Sequence, residues 1–267
     1  LCSFLALAAI YDLDHGVPNN LQEAAKEEDG LSKIIIEEII DNAAIAKKER
    51  IPICQDTGIV VVFLEIGNLV FCDFSLEKAI NEAVEAAYRE EYFRMSVVEN
   101  PLTRKNTFTN TPCIIHSKIV EGDGLKIVVC PKGAGSENLS RLEMLTPSVG
   151  KQGIIDFVIK TVKNAGGKVC PPMIVGVGIG GNFEECALLS KKALLRPLND
   201  HSEDQEANEL EKVLFEKINK LNIGPMGVGG NTTCLAVKVN LAPCHIASLP
   251  VAVNFQCHAS RHQEARL

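Results

Sequence analysis

The chain has 267 residues, 46% of them apolar, and its 27 Lys and Arg against 34 Asp and Glu give a formal charge of −7. That length and apolar content supply a proper core for one large domain or two small ones, and an acidic balance without a basic block excludes a surface that tracks a phosphate backbone. No run approaches the ~18 apolar residues of a membrane helix, since "PPMIVGVGIGG" is short and broken by glycine. In chain order, the opening "LCSFLALAAIY" is apolar like the centre of a signal peptide, but no basic stretch precedes it. Residues 1–30 are therefore an atypical N-terminal segment, and a cytoplasmic protein is expected. The first 50 residues read as helical, with "LSKIIIEEIIDNAAIAKKER" carrying apolar positions at helical spacing and Lys47, Lys48 and Arg50 in its last turn, where they suit the helix dipole.

After Pro52, "GIVVVFLEIG" reads as a buried strand and "SLEKAINEAVEAAYREEYFR" as an amphipathic helix with Ser75 as its N-cap. "TPCIIHSKIVEGDGLKIVVC" reads as two strands around an Asp-Gly turn, and "QGIIDFVIKTVKNAGG" as a helix ended by glycine. Next comes a short strand whose glycine run opens another helix, in "VCPPMIVGVGIGGNFEECALLSKKALL". A charged helix follows in "NDHSEDQEANELEKVLFEKINKLNI". Two strands and a polar tail complete the chain in "TCLAVKVNLAPCHIASLPVAVNFQCHASRH". No internal repeat or low-complexity linker divides it. The fold class expected is α/β, of mixed α+β kind, with alternating helices and short strands forming one domain over residues 1–267.

Three glycine-rich stretches stand out. Gly176, Gly178 and Gly181 satisfy GxGxxG between a strand and a helix, the context of a dinucleotide fingerprint. Against that reading, the acidic residue expected about 20 positions on falls in the polar helix start "NDHSEDQE", and Cys170-Pro171-Pro172 interrupts the first strand. "PKGAGSEN" and "GPMGVGGNT" repeat the same backbone chemistry, and three such loops in an acidic chain suggest a small anionic substrate.

Ten cysteines fall short of the ~8–10% of a disulfide scaffold, and none forms a CxxC pair. Cys72, Cys113, Cys130, Cys186 and Cys234 sit among apolar or strand-like neighbours and read as small buried residues. Cys54, Cys170 and Cys257 lie instead where elements end. Thiolate softness there selects iron–sulfur clusters or zinc, and three thiolates would leave one cluster iron open as a Lewis acid. The stretch "QDTG" after Cys54 also occurs in aspartic proteases, but a dyad needs two such loops and the chain has one Asp-Thr-Gly.

"PICQDTG", "YFRMSVVENPL", "RKNTFTNTP", "PKGAGSENLSRLEML", "GVGIGG" and "HIASLPVAVNFQCHASRH" occur in this order over about residues 30 to 262. Together they resemble the α subunit, or N-terminal domain, of class I iron–sulfur fumarate hydratases and the closely similar L(+)-tartrate dehydratases. The resemblance implies a [4Fe-4S] cluster held by Cys54, Cys170 and Cys257. It also implies substrate contacts at Gln55, Arg94 and the Gly133 to Gly135 loop, with Asp56 and His245 as catalytic groups. An arginine fork matches a carboxylate bidentately, a histidine can donate to a second carboxylate, and an aspartate can exchange a proton with substrate. The partners implied are a β subunit, which in the family supplies further arginines, a threonine and a lysine, together with a small dicarboxylate and a higher oligomer. The main reading is reversible hydration of fumarate to L-malate. The alternatives are L(+)-tartrate dehydration, a dinucleotide-binding oxidoreductase, and a scaffold with inert cysteines. The sequence departs from the family at its N-terminus and at Met95, where a basic residue commonly stands.

Overall fold

The computed structural model describes residues 1–14 and 16–267. The described residues form eight α-helices and two mixed four-stranded sheets, so the mixed α/β expectation holds. The chain makes two compact units: the first from Leu1–Asp14, Asn42–Ala134 and Arg261–Leu267, the second from His15–Asp41 and Gly135–Ser260.

In the first unit, α1 (Cys2–Tyr11) and α4 (Leu76–Glu90) lie with a sheet of β1 (Ile59–Gly67), β2 (Ile114–Val120), β3 (Leu125–Lys132) and β8 (Gln263–Arg266), in the order β2-β1-β3-β8. β1 runs parallel to β2 and antiparallel to β3. The two strands around the Asp-Gly turn are therefore not neighbours, because β1 lies between them. The "polar tail" is corrected as well: its end is β8, antiparallel to β3, with Lys126 opposite Arg266 and Val129 opposite Gln263. α4 starts where expected, the Ser75 hydroxyl accepting the Lys78 N–H at 3.3 Å. Alternate residues Val60, Val62 and Leu64 of β1 form a core with Ile80, Val84 and Tyr88 of α4 and with Leu5, Ala6, Ile10 and Tyr11 of α1. The apolar opening stretch is thus a core helix, each buried aliphatic side chain contributing about 1.5–3 kcal/mol.

The segment after α1 is clipped to the start of β8. The His262 ring Nδ1 donates to Asp14 Oδ2 at 2.9 Å, and the His262 N–H donates to Asp14 Oδ1. Burial alone would push His262 down, but the hydrogen bond and charge of Asp14, helped by Glu264 and opposed by Lys126, raise its pKa overall. A raised folded pKa means that this contribution is complete below the unfolded value of about 6.5 and is lost as pH rises through the higher folded value. Urea unfolding of the parent should accordingly weaken by up to about 1 kcal/mol from pH 6 to pH 8 relative to His262→Gln. Parallel pH profiles of the two proteins would remove this pair from the stability balance.

The second unit holds α2 (Val17–Glu27), α6 (Gly150–Ala165), α7 (Phe183–Ala193) and α8 (Gln205–Asn219). Its sheet is β4 (Arg141–Leu145), β7 (Leu249–Gln256), β5 (Met173–Gly181) and β6 (Cys234–Cys244), in the order β4-β7-β5-β6. α3 (Gly30–Glu49) contributes residues to both units, and the single-turn α5 (Ala134–Glu137) follows β3. β5 is central and buried along nearly its whole length, which is why it reads as a continuous apolar run. Val175, Val177 and Ile179 face a core with α6 and α8. The alternate positions meet α7: a side chain at Gly176 would strike the Ser190 carbonyl at 2.2 Å, and one at Gly178 the Cys186 carbonyl at 2.1 Å. These glycines let a helix lie directly on a strand. No helix among the described residues is long and apolar enough to cross a membrane.

Candidate active-site loops

The stretch Pro52 to Gly58 enters β1 as an irregular loop in the first unit. Gly58 takes φ +77, and a side chain there would overlap the Lys132 backbone at 2.6 Å, so only glycine lets the loop lie against the end of β3. Cys54 is half-buried, and its sulfur accepts the Asp56 N–H at 3.4 Å while its S–H faces Gln55 Oε1 at 3.5 Å. Gln55 is exposed. The Asp56 carboxylate bridges two loops, Oδ1 accepting the Gly58 N–H at 3.0 Å and Oδ2 the Ala134 N–H at 2.8 Å. A side chain at Gly133 would stand 3.2 Å from Asp56 Oδ2, which accounts for a glycine there. Nothing lies within 4 Å of the equivalent point at Gly135. Arg94 is exposed and lies four residues beyond α4, not at its end. Its carbonyl accepts the Thr57 hydroxyl at 2.8 Å, which ties the Arg94 loop to the Asp56 loop.

Below this loop, the fully buried Tyr88 hydroxyl donates to the Thr57 carbonyl at 2.6 Å, and the Arg261 guanidinium donates to the Asp56 carbonyl. Burial pushes the Tyr88 hydroxyl up and keeps it a donor. The sequence reading missed both residues. Tyr88 sits in the buried face of a helix, and Arg261 lay unremarked inside the quoted "QCHASRH".

In the second unit, Cys170 ends a short 3-10 turn in a left-handed conformation, φ 58 and ψ 65, and is half-buried, as is Cys257. The structure brings their segments together through His258. Its N–H donates to the Cys170 carbonyl at 3.3 Å, and its Nδ1 lies 2.9 Å from the same oxygen. Since a carbonyl only accepts, the proton of the neutral ring is on Nδ1, and burial lowers the His258 pKa to favour that neutral form. The Gln256 amide donates to the Cys257 sulfur at 3.8 Å. His258 is a third residue that the sequence reading passed over, although it adjoins a predicted ligand. His245 is exposed in the β6–β7 turn, its Nδ1 accepting the Ala247 N–H at 3.1 Å, which leaves Nε2 as the nitrogen available to donate.

The thiols divide by surroundings. Cys113 is pushed up to about 12 by burial, and burial also raises Cys2, Cys186 and Cys234, which makes these four poor thiolate donors. Cys72 is half-buried, not buried as expected, because it stands in the loop before α4. Cys54 and Cys257 each accept an N–H at sulfur, the kind of bond that supports a metal-bound thiolate. Cys54, Cys170 and Cys257 are each half-buried, so each is a soft donor not sealed in a core. No group of three His, Cys, Asp or Glu among the described residues is arranged to hold a metal ion.

The three glycine loops are not equivalent. In "GVGIGG", Gly176, Gly178 and Gly181 lie against α7 and Gly180 against the Ala242 backbone of β6, so these glycines serve packing. In "GPMGVGGNT" the anion is the chain's own: Glu28, buried, accepts the Thr232 N–H at 2.5 Å and the Ser32 hydroxyl at 2.8 Å. Burial would raise this carboxyl, but the donors from Ser32, Asn231 and Thr232 outweigh it and lower the pKa. Only "PKGAGSEN" adjoins a predicted catalytic residue, Asp56.

The family model described as Fumarate hydratase (Fumerase) matches residues 3–266. The chain is 46% identical, over 97% of its own length and 93% of the relative's, to a Methanocaldococcus jannaschii protein provisionally named L(+)-tartrate dehydratase subunit alpha. It is 33% identical to the L(+)-tartrate dehydratase subunit alpha of Escherichia coli (strain K12), over 98% of its own length and 87% of the relative's. The Shigella sonnei protein of the same name matches at the same identity and coverage.

Proposed function

Because this chain belongs to the fumarate hydratase (Fumerase) family of hydro-lyases, we propose that it is the cluster-binding α subunit of an L(+)-tartrate dehydratase. The observation that carries this reading is the near-full-length likeness to proteins named as tartrate dehydratase α subunits. The preference for fumarate drawn from the sequence becomes the second reading, favoured by the description of the family model. The word "alpha" in the relatives' names supports a partner subunit.

Dehydration of tartrate breaks one C–O bond, takes the proton from the neighbouring carbon and gives water and an enol that relaxes to oxaloacetate. Cys54, Cys170 and Cys257 would hold a [4Fe-4S] cluster, which supplies a Lewis acid for the departing hydroxyl. Asp56 is the proton-exchanging group, its carboxylate fixed by two backbone N–H donors so that the remaining lone pairs point in constant directions. Arg94 and Gln55 are exposed and free to turn toward a dianion, with Arg94 supplying the bidentate fork. His245 presents Nε2–H as a donor for the second carboxylate, and the Gly133 to Gly135 loop leaves its backbone open to close approach.

The test is anaerobic co-expression with the β subunit, followed by assays of L(+)-tartrate, meso-tartrate, fumarate and L-malate. The kcat/KM for L(+)-tartrate is expected to exceed that for fumarate by at least about tenfold. The opposite ratio selects the fumarate reading, and no turnover of any of the four by a brown, iron-loaded complex overturns both.

A further inference from the structure

Arg261 lies between β7 and β8 and is 4% exposed. Its Nε donates to the Pro131 carbonyl at 3.3 Å and its Nη2 to the Asp56 carbonyl, while Nη1 is buried without a hydrogen-bond partner. Both bonds go to backbone oxygens and neither to a carboxylate. A buried cation held this way is poorly explained by stability, since an apolar side chain of similar size would avoid its desolvation. Its bonds have a consistent geometry, however. Pro131 is three residues before Ala134, and Asp56 is two before Gly58, so Arg261 joins through its guanidinium the same two loops that the Asp56 carboxylate joins through Gly58 and Ala134. The Tyr88 hydroxyl holds the next carbonyl, Thr57. A side chain at Gly133 would stand 3.2 Å from Asp56 Oδ2 and 3.9 Å from Arg261 Nη2, so the three groups form one packed set.

We infer that Arg261 is a positioning residue for the reaction, fixing the Asp56 carboxylate relative to the Lys132 to Gly135 loop without touching substrate. The inference rests on the proton-exchanging role proposed for Asp56. A planar fork spans two carbonyls at once, whereas the point charge of lysine binds one at a time. A small displacement of an acid/base group lowers turnover far more than affinity. Arg261 therefore acts on kcat, and the unspent Nη1 is the residue of a placement chosen for geometry.

The experiment compares the parent, Arg261→Lys and Arg261→Gln in the assembled, anaerobically purified enzyme. Steady-state kinetics and iron content are read together with hydrogen exchange of the peptides carrying the Gly58 and Ala134 amides. For Arg261→Lys, kcat is expected to fall about 10–100-fold with KM changed less than about threefold and iron content unchanged. The two amides should exchange at least about tenfold faster while β1 and α4 stay protected. Arg261→Gln should lose more of both, and if it does not fold, Arg261→Lys decides alone. A kcat within about twofold of the parent, or unchanged exchange at Gly58 and Ala134, overturns the inference. If the parent itself has no hydro-lyase activity, the proposed function fails, and the exchange of those two amides still decides the positioning role.

Discussion

Serine in place of Cys54, Cys170 or Cys257 is expected to leave the assembled enzyme colourless and to lower kcat at least about a thousandfold, because a hydroxyl is a poor ligand for a cluster iron. Cys113→Ser, Cys72→Ser and Cys244→Ser should keep the visible absorption, iron content and turnover. The contrast follows from the surroundings of the thiols. Burial holds the Cys113 proton on, whereas Cys54 and Cys257 are half-buried and accept N–H bonds at sulfur from Asp56 and Gln256. The Cys170 carbonyl holds His258 and with it the position of Cys257. His258→Ala should consequently weaken cluster retention without removing a ligand. The three ligand variants are checked by iron and acid-labile sulfide content alongside activity, and the parent by exposure to air followed by ferrous iron and reductant. Full iron content in any one of the three serine variants would strike that cysteine from the ligand set, and a parent indifferent to air would argue against an open iron altogether.

What the sequence disclosed of this fold depended on whether a feature was local. The helix from Leu76 announced itself by Ser75 and by apolar positions at helical spacing, and β5 by an apolar run with glycines. Both are written in consecutive residues. Strand order was not, since the insertion of β1 between β2 and β3 arises from pairings that no turn signal encodes. Nor was the short β8, whose residues Gln263 to Arg266 gain strand geometry only from β3 beside them. The candidate site divides in the same way. Cys54, Asp56 and the Gly133 to Gly135 loop carry recognisable motifs, whereas the hydrogen bond that joins Asp56 to Ala134 links residues 78 positions apart. The groups that hold these motifs were invisible because their partners are remote in sequence: Arg261 meets Asp56 across 205 positions, and Glu28 meets Thr232 across 204. The second of these turned an apparent anion site into an internal one. A glycine loop read alone shows that backbone amides are accessible; it cannot show that a carboxylate of the same chain has already taken them.

Asp56→Asn is expected to keep the cluster's spectrum and iron content while lowering kcat about 10²–10⁴-fold, since an amide can no longer exchange a proton with substrate carbon at neutral pH. The structure adds a second effect that must be separated from the first. Both carboxylate oxygens accept backbone N–H bonds, from Gly58 and from Ala134. Asparagine offers one acceptor and one donor, so one of the two amides would face an N–H and the bridge between the loops would open at a cost of about 1–3 kcal/mol. Thermal unfolding of Asp56→Asn should therefore shift downward, and so should that of Asp56→Ser, which also lacks the bridge. A loss caused only by the opened bridge would make Asp56→Asn resemble Arg261→Lys, where the carboxylate survives but is less well held. A loss caused by chemistry would exceed that of Arg261→Lys at comparable exchange of the Gly58 and Ala134 amides. Near-normal turnover in folded, iron-loaded Asp56→Asn would reduce Asp56 to a loop clasp, and the proton would then have to pass through another group.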